Sequence, residues 1–352
     1  MLLFVLIAFQ LWQVNFNDQK AVWYLDALDA LHHKFTRVKA AIVWSERWEN
    51  DDGTESDLRV NSSLEALDAF RYGISGEYFL GKDRLREFKH FVTIPAYGCF
   101  IGAYVEEGTF EDSVSVEKLK WFGSLTGKDP AFVPISIFWG RKRIPRKSIE
   151  AILRFGAIPM IRLMPWGKPY KENFPQPSYS LDKIIRGDFD SFLLRIAKYL
   201  KSLKTPVFIT FGEEMNGDWF PWSGIFNGGD TTNKYGNPDF PDGPERYRDA
   251  FRHVVKLFRK AGADNVIWYF QPNAESSPEK PWNFIYKYYP GNEYVDWIGV
   301  SVYGAQTPED NWVSFSKVLG KVYLELISLA PSKPLMVSEW GVTEPEKGHR
   351  KK

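Results

Sequence analysis

Two glutamates stand at the ends of short apolar runs. Glu214 follows Val207–Phe211 through Gly212 and Glu213, and Glu339 lies within Pro334-Leu-Met-Val-Ser-Glu-Trp-Gly341. Each run is brief, rich in β-formers and closed by glycine, the pattern of a buried parallel strand stopping at the rim of a sheet. A carboxylate at such a C-terminal strand end lies where α/β barrels carry their chemistry. Paired carboxylates, one donating a proton and the other attacking or activating water, are what glycosidic-bond cleavage requires. Aromatic rings fit the same chemistry, because their apolar faces stack on the C–H faces of pyranose rings. The chain holds 14 Trp, 17 Tyr and 27 Phe. Trp219 and Trp222 follow Glu214 within one loop and are candidate platforms. Trp166, Trp340 and Trp44 end other apolar runs, and for these three the sequence allows core packing as readily as sugar contact. Asn216 and Asn273 either hydrogen-bond sugar hydroxyls or hold loops.

These side chains need a frame. From Cys99 onward, apolar runs at 99–105, 132–138, 158–163, 207–211, 266–270, 297–302 and 335–337 alternate with amphipathic stretches such as 144–155, 189–203, 244–261 and 312–329. Such alternation predicts parallel strands joined by crossover helices. That makes seven strands, and a closed barrel has eight. The eighth candidate lies upstream, where 21–35 reads as an amphipathic helix and 38–44 as a strand. Trp48 follows, then an acidic loop over 49–57, a helix over 62–72 capped by Ser62 or Ser63 ahead of Glu65, and a polar link over 81–90. No low-complexity linker divides the chain, so one cooperative unit is expected. The expected fold is α/β, a (β/α)8 TIM barrel. Residues 1–20 read as a hydrophobic leader, 21–90 as a helix–strand–helix segment, and 91–352 as barrel strands one to seven.

Composition removes several classes of function. A net charge of +1 gives no electrostatic footprint for nucleic acid. Cys99 is the single cysteine, so no intrachain disulfide can form. His32, His33, His90, His253 and His349 show no metal-site spacing with Asp, Glu or Cys, and the strand ends carry no phosphate or dinucleotide loop. No metal or cofactor is expected. The acidic loop 49–57 does not have the spacing of an EF-hand. Residues 1–9 are apolar enough for a signal core or a strand, yet they lack a basic lead and a small-residue cleavage site. They are too short to span a bilayer. A secreted monomer without membrane contact is expected.

Glu213-Glu-Met-Asn-Gly-Asp-Trp-Phe-Pro-Trp222, with Met336-Val-Ser-Glu-Trp-Gly341 downstream, resembles glycoside hydrolase family 26. Gly102-Ala-Tyr-Val105, Gly156-Ala-Ile-Pro-Met160, Met164-Pro-Trp166 and Asp296-Trp-Ile-Gly-Val-Ser-Val-Tyr303 agree with it in barrel order. The resemblance covers most of residues 95–345. It implies a (β/α)8 barrel with the acid/base on strand four and the nucleophile on strand seven, which counting from Cys99 are Val207–Phe211 and 335–337. The segments 21–44 and 57–63 resemble the last helix–strand–helix of that family, which normally follows the nucleophile. Residues 21–80 therefore either supply strand eight from the front, as in a circular permutation, or are the tail of an upstream repeat.

The resemblance implies roles. Glu214 is the acid/base, Glu339 the nucleophile, and Tyr303 donates a hydrogen bond to Glu339. In a retaining mechanism the two carboxyls stand about 5–5.5 Å apart. The acid must stay protonated near neutral pH, which requires burial or a negative neighbour. Glu213 departs from the pattern, because mannanases of the family usually carry histidine there as part of the sugar-binding site. The expected activity is retaining endo-hydrolysis of a polysaccharide. β-1,4-Mannan is expected first; mixed-linkage β-1,3-1,4-glucan, brought close by Glu213, and β-1,3-xylan are alternatives. Two further possibilities are a non-catalytic polysaccharide-binding barrel and a chain that does not fold alone.

Overall fold

The structure, a computed structural model, describes residues 18–50, 53–87, 94–106, 111–307 and 309–344. The apolar stretch at 1–9 lies outside the described residues.

Eight parallel strands form the barrel. They are β1 (Val38–Ser45), β2 (Cys99–Val105), β3 (Phe132–Phe138), β4 (Ile158–Met164), β5 (Val207–Phe211), β6 (Val266–Phe270), β7 in two pieces (Trp297–Ile298 and Ser301–Tyr303) and β8 (Leu335–Gly341). Most of their residues are buried, as strands covered on both faces require. The main helices are α1 (Gln19–His33), α2 (Leu64–Ile74), α3 (Val116–Thr126), α4 (Arg146–Phe155), α5 (Asp190–Leu203), α6 (Asp242–Lys260) and α7 (Phe315–Leu329). Ser63 caps α2, its hydroxyl accepting from the Ala66 N–H at 3.1 Å.

Closure is made by the N-terminal segment. β1 pairs in parallel with β8 on one side and with β2 on the other, from Ala40 opposite Phe100 to Ser45 opposite Val105. Residues 21–80 therefore supply the eighth strand in cis. Lys20 ties α1 to the loop after β1. Its buried ammonium donates to the Asp57 carbonyl at 2.7 Å, the Arg59 carbonyl at 2.9 Å and Ser62 Oγ at 2.7 Å. Burial draws that amine down to about 8, against the pull of Glu344, Asp57 and Asp18.

Two sequence expectations are corrected. The acidic loop 49–57 contains a small antiparallel hairpin, Arg47–Glu49 against Glu55–Asp57. The polar link 81–90 contains a 3-10 helix at Lys82–Glu87, and residues 88–90 fall outside the described part.

The barrel interior is layered. Its floor holds Ile42, Phe100, Phe132, Met160, Phe208 and Trp297 with their neighbours. Above it, side chains pointing inward become polar: Ser136, Arg162, Thr210, Gln271 and Glu339 are all buried. β8 carries an irregularity here. Ala41 lies opposite Val337, but Val43 lies opposite Trp340, so one residue of β1 spans two of β8. Such a bulge re-aims side chains. Glu339 turns to the cleft, and Trp340 turns outward to stack on Trp23 beneath α1.

Candidate active site

At the C-terminal ends of the strands a cleft of about 570 Å³ opens, with Glu214 and Glu339 both in its wall. Glu214 sits just past β5 with φ 54°, a left-handed backbone that a glutamate adopts only under constraint. Two hydrogen bonds hold it: its N–H donates to the Gln271 carbonyl at 2.7 Å, and its carbonyl accepts from the Gly217 N–H at 2.9 Å. Gly212, at φ 56°, begins the same turn. Oε2 of Glu214 accepts from the Trp219 indole at 2.8 Å. Gly217 permits this approach, since a Cβ there would stand 2.4 Å from the Trp219 ring.

Glu339 is gripped from three directions. Oε1 accepts from Arg162 Nη1 at 2.8 Å and from Gln271 Nε2 at 3.0 Å, while Oε2 accepts from the Tyr303 hydroxyl at 3.0 Å. Arg162 is buried and reaches on to Glu111 and to Ser136 Oγ, the latter at 2.7 Å. Its guanidinium also lies 4.5 Å from the centre of the Trp44 ring. One arginine thus bridges a carboxylate at the cleft rim and one at the end of β8.

The two carboxyls have different surroundings. Burial, aided by Glu339, pushes Glu214 up to about 7, against hydrogen bonds from Ser301 and Trp219. It is therefore able to hold a proton near neutral pH. Glu339 instead faces a guanidinium, an amide N–H and a phenol. That pairing of a protonatable acid with a donor-supported carboxylate is the arrangement double displacement uses.

Of the other expected site residues, Tyr303, Trp44, Trp219 and Asn273 line the cleft. The rest do not. Trp222 is fully buried, stacked on Phe220 with its indole donating to the Glu213 carbonyl at 2.6 Å. Trp340 is fully buried on the helix side, for the reason the bulge gives. Trp166 packs edge-on against Phe220 and Trp222, behind the cleft wall. Asn216 is a loop clasp, its amide bonding the Asn273 carbonyl at 2.9 Å and its oxygen accepting from the Asn273 N–H at 2.8 Å. Glu213 lies beneath the cleft at 1% exposure, with no hydrogen-bond partner from another described residue on either carboxyl oxygen. Burial pushes it up to about 8, against Arg162 and with help from Glu339.

Arg162, Gln271 and Glu111 were not anticipated. Arg162 has a visible signal, as the one charge inside the apolar run 158–164. Gln271 directly follows β6. Glu111 lies in a loop far from Arg162 in sequence and carries no signal.

Residues 176–338 match the sequence model of Glycosyl hydrolase family 26. Endoglucanase H of Acetivibrio thermocellus is 29% identical over 251 residues, 70% of this chain and 24% of that protein. A mannan endo-1,4-beta-mannosidase of Bacillus subtilis is 31% identical over 117 residues, 32% of this chain and 29% of that one. Beta-1,3-xylanase TXYA of a Vibrio species is 26% identical over 135 residues, 38% of this chain and 24% of that one. The chain spans about a quarter of the length of each of these curated relatives. Among solved structures, a GH26 beta-mannanase from Bacteroides ovatus is 18% identical with TM-score 0.42, covering 92% of this chain and 77% of that one. Residues 176–338 thus match glycosyl hydrolase family 26, and the chain is similar to these relatives.

Proposed function

We propose that this protein is a retaining endo-β-glycanase. Glu214 protonates the leaving oxygen while Glu339 attacks the anomeric carbon; Glu214, now ionised, then draws a proton from the water that releases the glycosyl-enzyme. The observation that carries this reading is the difference in surroundings between two buried carboxyls: Glu214 is raised to about 7, and Glu339 accepts from Arg162, Gln271 and Tyr303. Tyr303 and Arg162 orient the attacking oxygens, and Trp219 fixes the acid.

For the substrate we favour a β-glucan, with mixed-linkage β-1,3-1,4-glucan as first probe. The relative sharing 70% of this chain is an endoglucanase, and a glutamate replaces the histidine expected of mannanases at position 213. β-1,4-Mannan is the second reading, supported by the Bacillus subtilis relatives. A polymer of this size is met outside the cell, so the reading includes secretion. Proton NMR of the first product tests the stereochemistry. Release of the β-anomer before mutarotation is expected, and initial release of the α-anomer would remove Glu339 as nucleophile.

A further inference from the structure

The hairpin after β1 enters the cleft with no role in the chemistry above. Trp48 pairs with Ser56 across its two strands. The Trp48 indole donates to Asn50 Oδ1 at 2.9 Å, and Asn50 Nδ2 donates in turn to Thr54 Oγ1 at 3.0 Å and Ser56 Oγ at 2.9 Å. The Trp48 side chain packs on the cluster of Trp44, Leu58 and Tyr104. Half-buried, it still lines the cleft beside Glu46 and Asn50. Glu46 is itself fixed, its Oε2 accepting from the Trp44 indole at 2.8 Å. Packing alone needs no such chain of hydrogen bonds. The chain fixes the orientation of a large aromatic face in a polar cleft, and preorganised faces of this kind bind at low entropic cost.

Position says which part of a substrate would meet it. In the closed barrel β1 neighbours β8, which carries Glu339, and stands four strands from β5 in either direction. The hairpin therefore faces the Trp219 loop across the barrel mouth, with the two carboxyls between. Trp219 touches the acid, on the side where the leaving group departs.

Resting on the glycanase reading above, the geometry points to a sugar subsite on this hairpin, remote from the cleaved bond on the glycone side. The Trp48 ring stacks on a pyranose face, and Glu46 and Asn50 meet its hydroxyls. The chemical class is an uncharged β-linked hexose residue, because the polar groups at this wall are carboxylates and amides. The subsite lengthens the stretch of chain the enzyme grips.

The test uses two ladders, mixed-linkage gluco-oligosaccharides and β-1,4-manno-oligosaccharides, each from dimer to hexamer. Hydrolysis is followed with the parent, Trp48→Ala, Trp48→Phe and Asn50→Ala. Binding is followed calorimetrically with the same substitutions on a Glu339→Gln background. Trp48→Ala is expected to lower kcat/KM about tenfold on the longest oligosaccharides that are cleaved and to leave the shortest unchanged. Trp48→Phe should restore most of the loss, and Asn50→Ala should give a smaller loss with the same length dependence. Equal loss at every length, or no loss at any, overturns the subsite. If the parent cleaves neither ladder, the glycanase reading fails separately. The subsite then stands only if the Glu339→Gln protein binds long oligomers more tightly than short ones and Trp48→Ala removes that difference.

Discussion

The Trp219 indole donates a 2.8 Å hydrogen bond to Oε2 of Glu214. It supports the ionised form of the acid, and so opposes the burial that raises it. Trp219→Phe removes the donor and keeps the ring. On polysaccharide, kcat should fall about tenfold, in line with the loss of one hydrogen bond to a charged group. The basic limb of the pH profile should move upward. Initial rates across pH check both, and an unshifted limb would mean that Glu214 is not the group titrating there.

The pH dependence follows from the same acid. In the proposed mechanism Glu214 must carry its proton for the first step, and its carboxyl is pushed up to about 7. As pH rises through that value the protonated fraction is lost, so kcat/KM should decline on the alkaline side of about 7. An aryl glycoside with a good leaving group needs little protonation. With that substrate Glu214→Gln should retain its glycosylation rate and lose the alkaline limb, read as the pre-steady-state burst of phenolate.

Arg162 bridges Glu111 and Glu339 from a buried position. Arg162→Met leaves the Glu339 carboxylate without its cation. Removing one partner of a buried pair costs about 3–5 kcal/mol. A lower melting temperature together with at least about a hundredfold loss of kcat is expected, the latter from misplacement of the nucleophile. Thermal unfolding and kinetics on one preparation separate the two effects.

Trp340 marks the opposite case. It is fully buried against Trp23, Tyr24 and Phe315, on the helix side of β8. Trp340→Ala should destabilise the fold by about 3–5 kcal/mol. Trp340→Phe should lower the melting temperature modestly and leave KM unchanged. A selective rise in KM would return this ring to the sugar site.

The barrel was legible because buried parallel strands announce themselves as apolar runs, and the strand-end carboxylates stand out against them. The closure by residues 21–80 was one of two open readings, since sequence alone does not say whether 38–44 pairs within the chain. Trp222 and Trp340 escaped because alternation fails where the chain turns or bulges: one residue added opposite Ile42 exchanges the faces of Glu339 and Trp340. The hairpin was missed because strands of three residues are too short to show a period. Glu111 was missed because its partner lies 51 residues away. Arg162 was the available clue, a lone charge in a strand that otherwise reads as core.

In the proposed function Glu339 attacks sugar in a barrel closed by β1. That attack is tested most directly by reducing-sugar release from mixed-linkage β-glucan, β-1,4-mannan and β-1,3-xylan, with the parent and Glu339→Ala side by side. Cleavage of at least one polymer by the parent, reduced by about four orders of magnitude or more in a variant that melts cooperatively, is the predicted result. A folded parent that releases nothing from any of the three, or a Glu339→Ala protein as active as the parent, would contradict it.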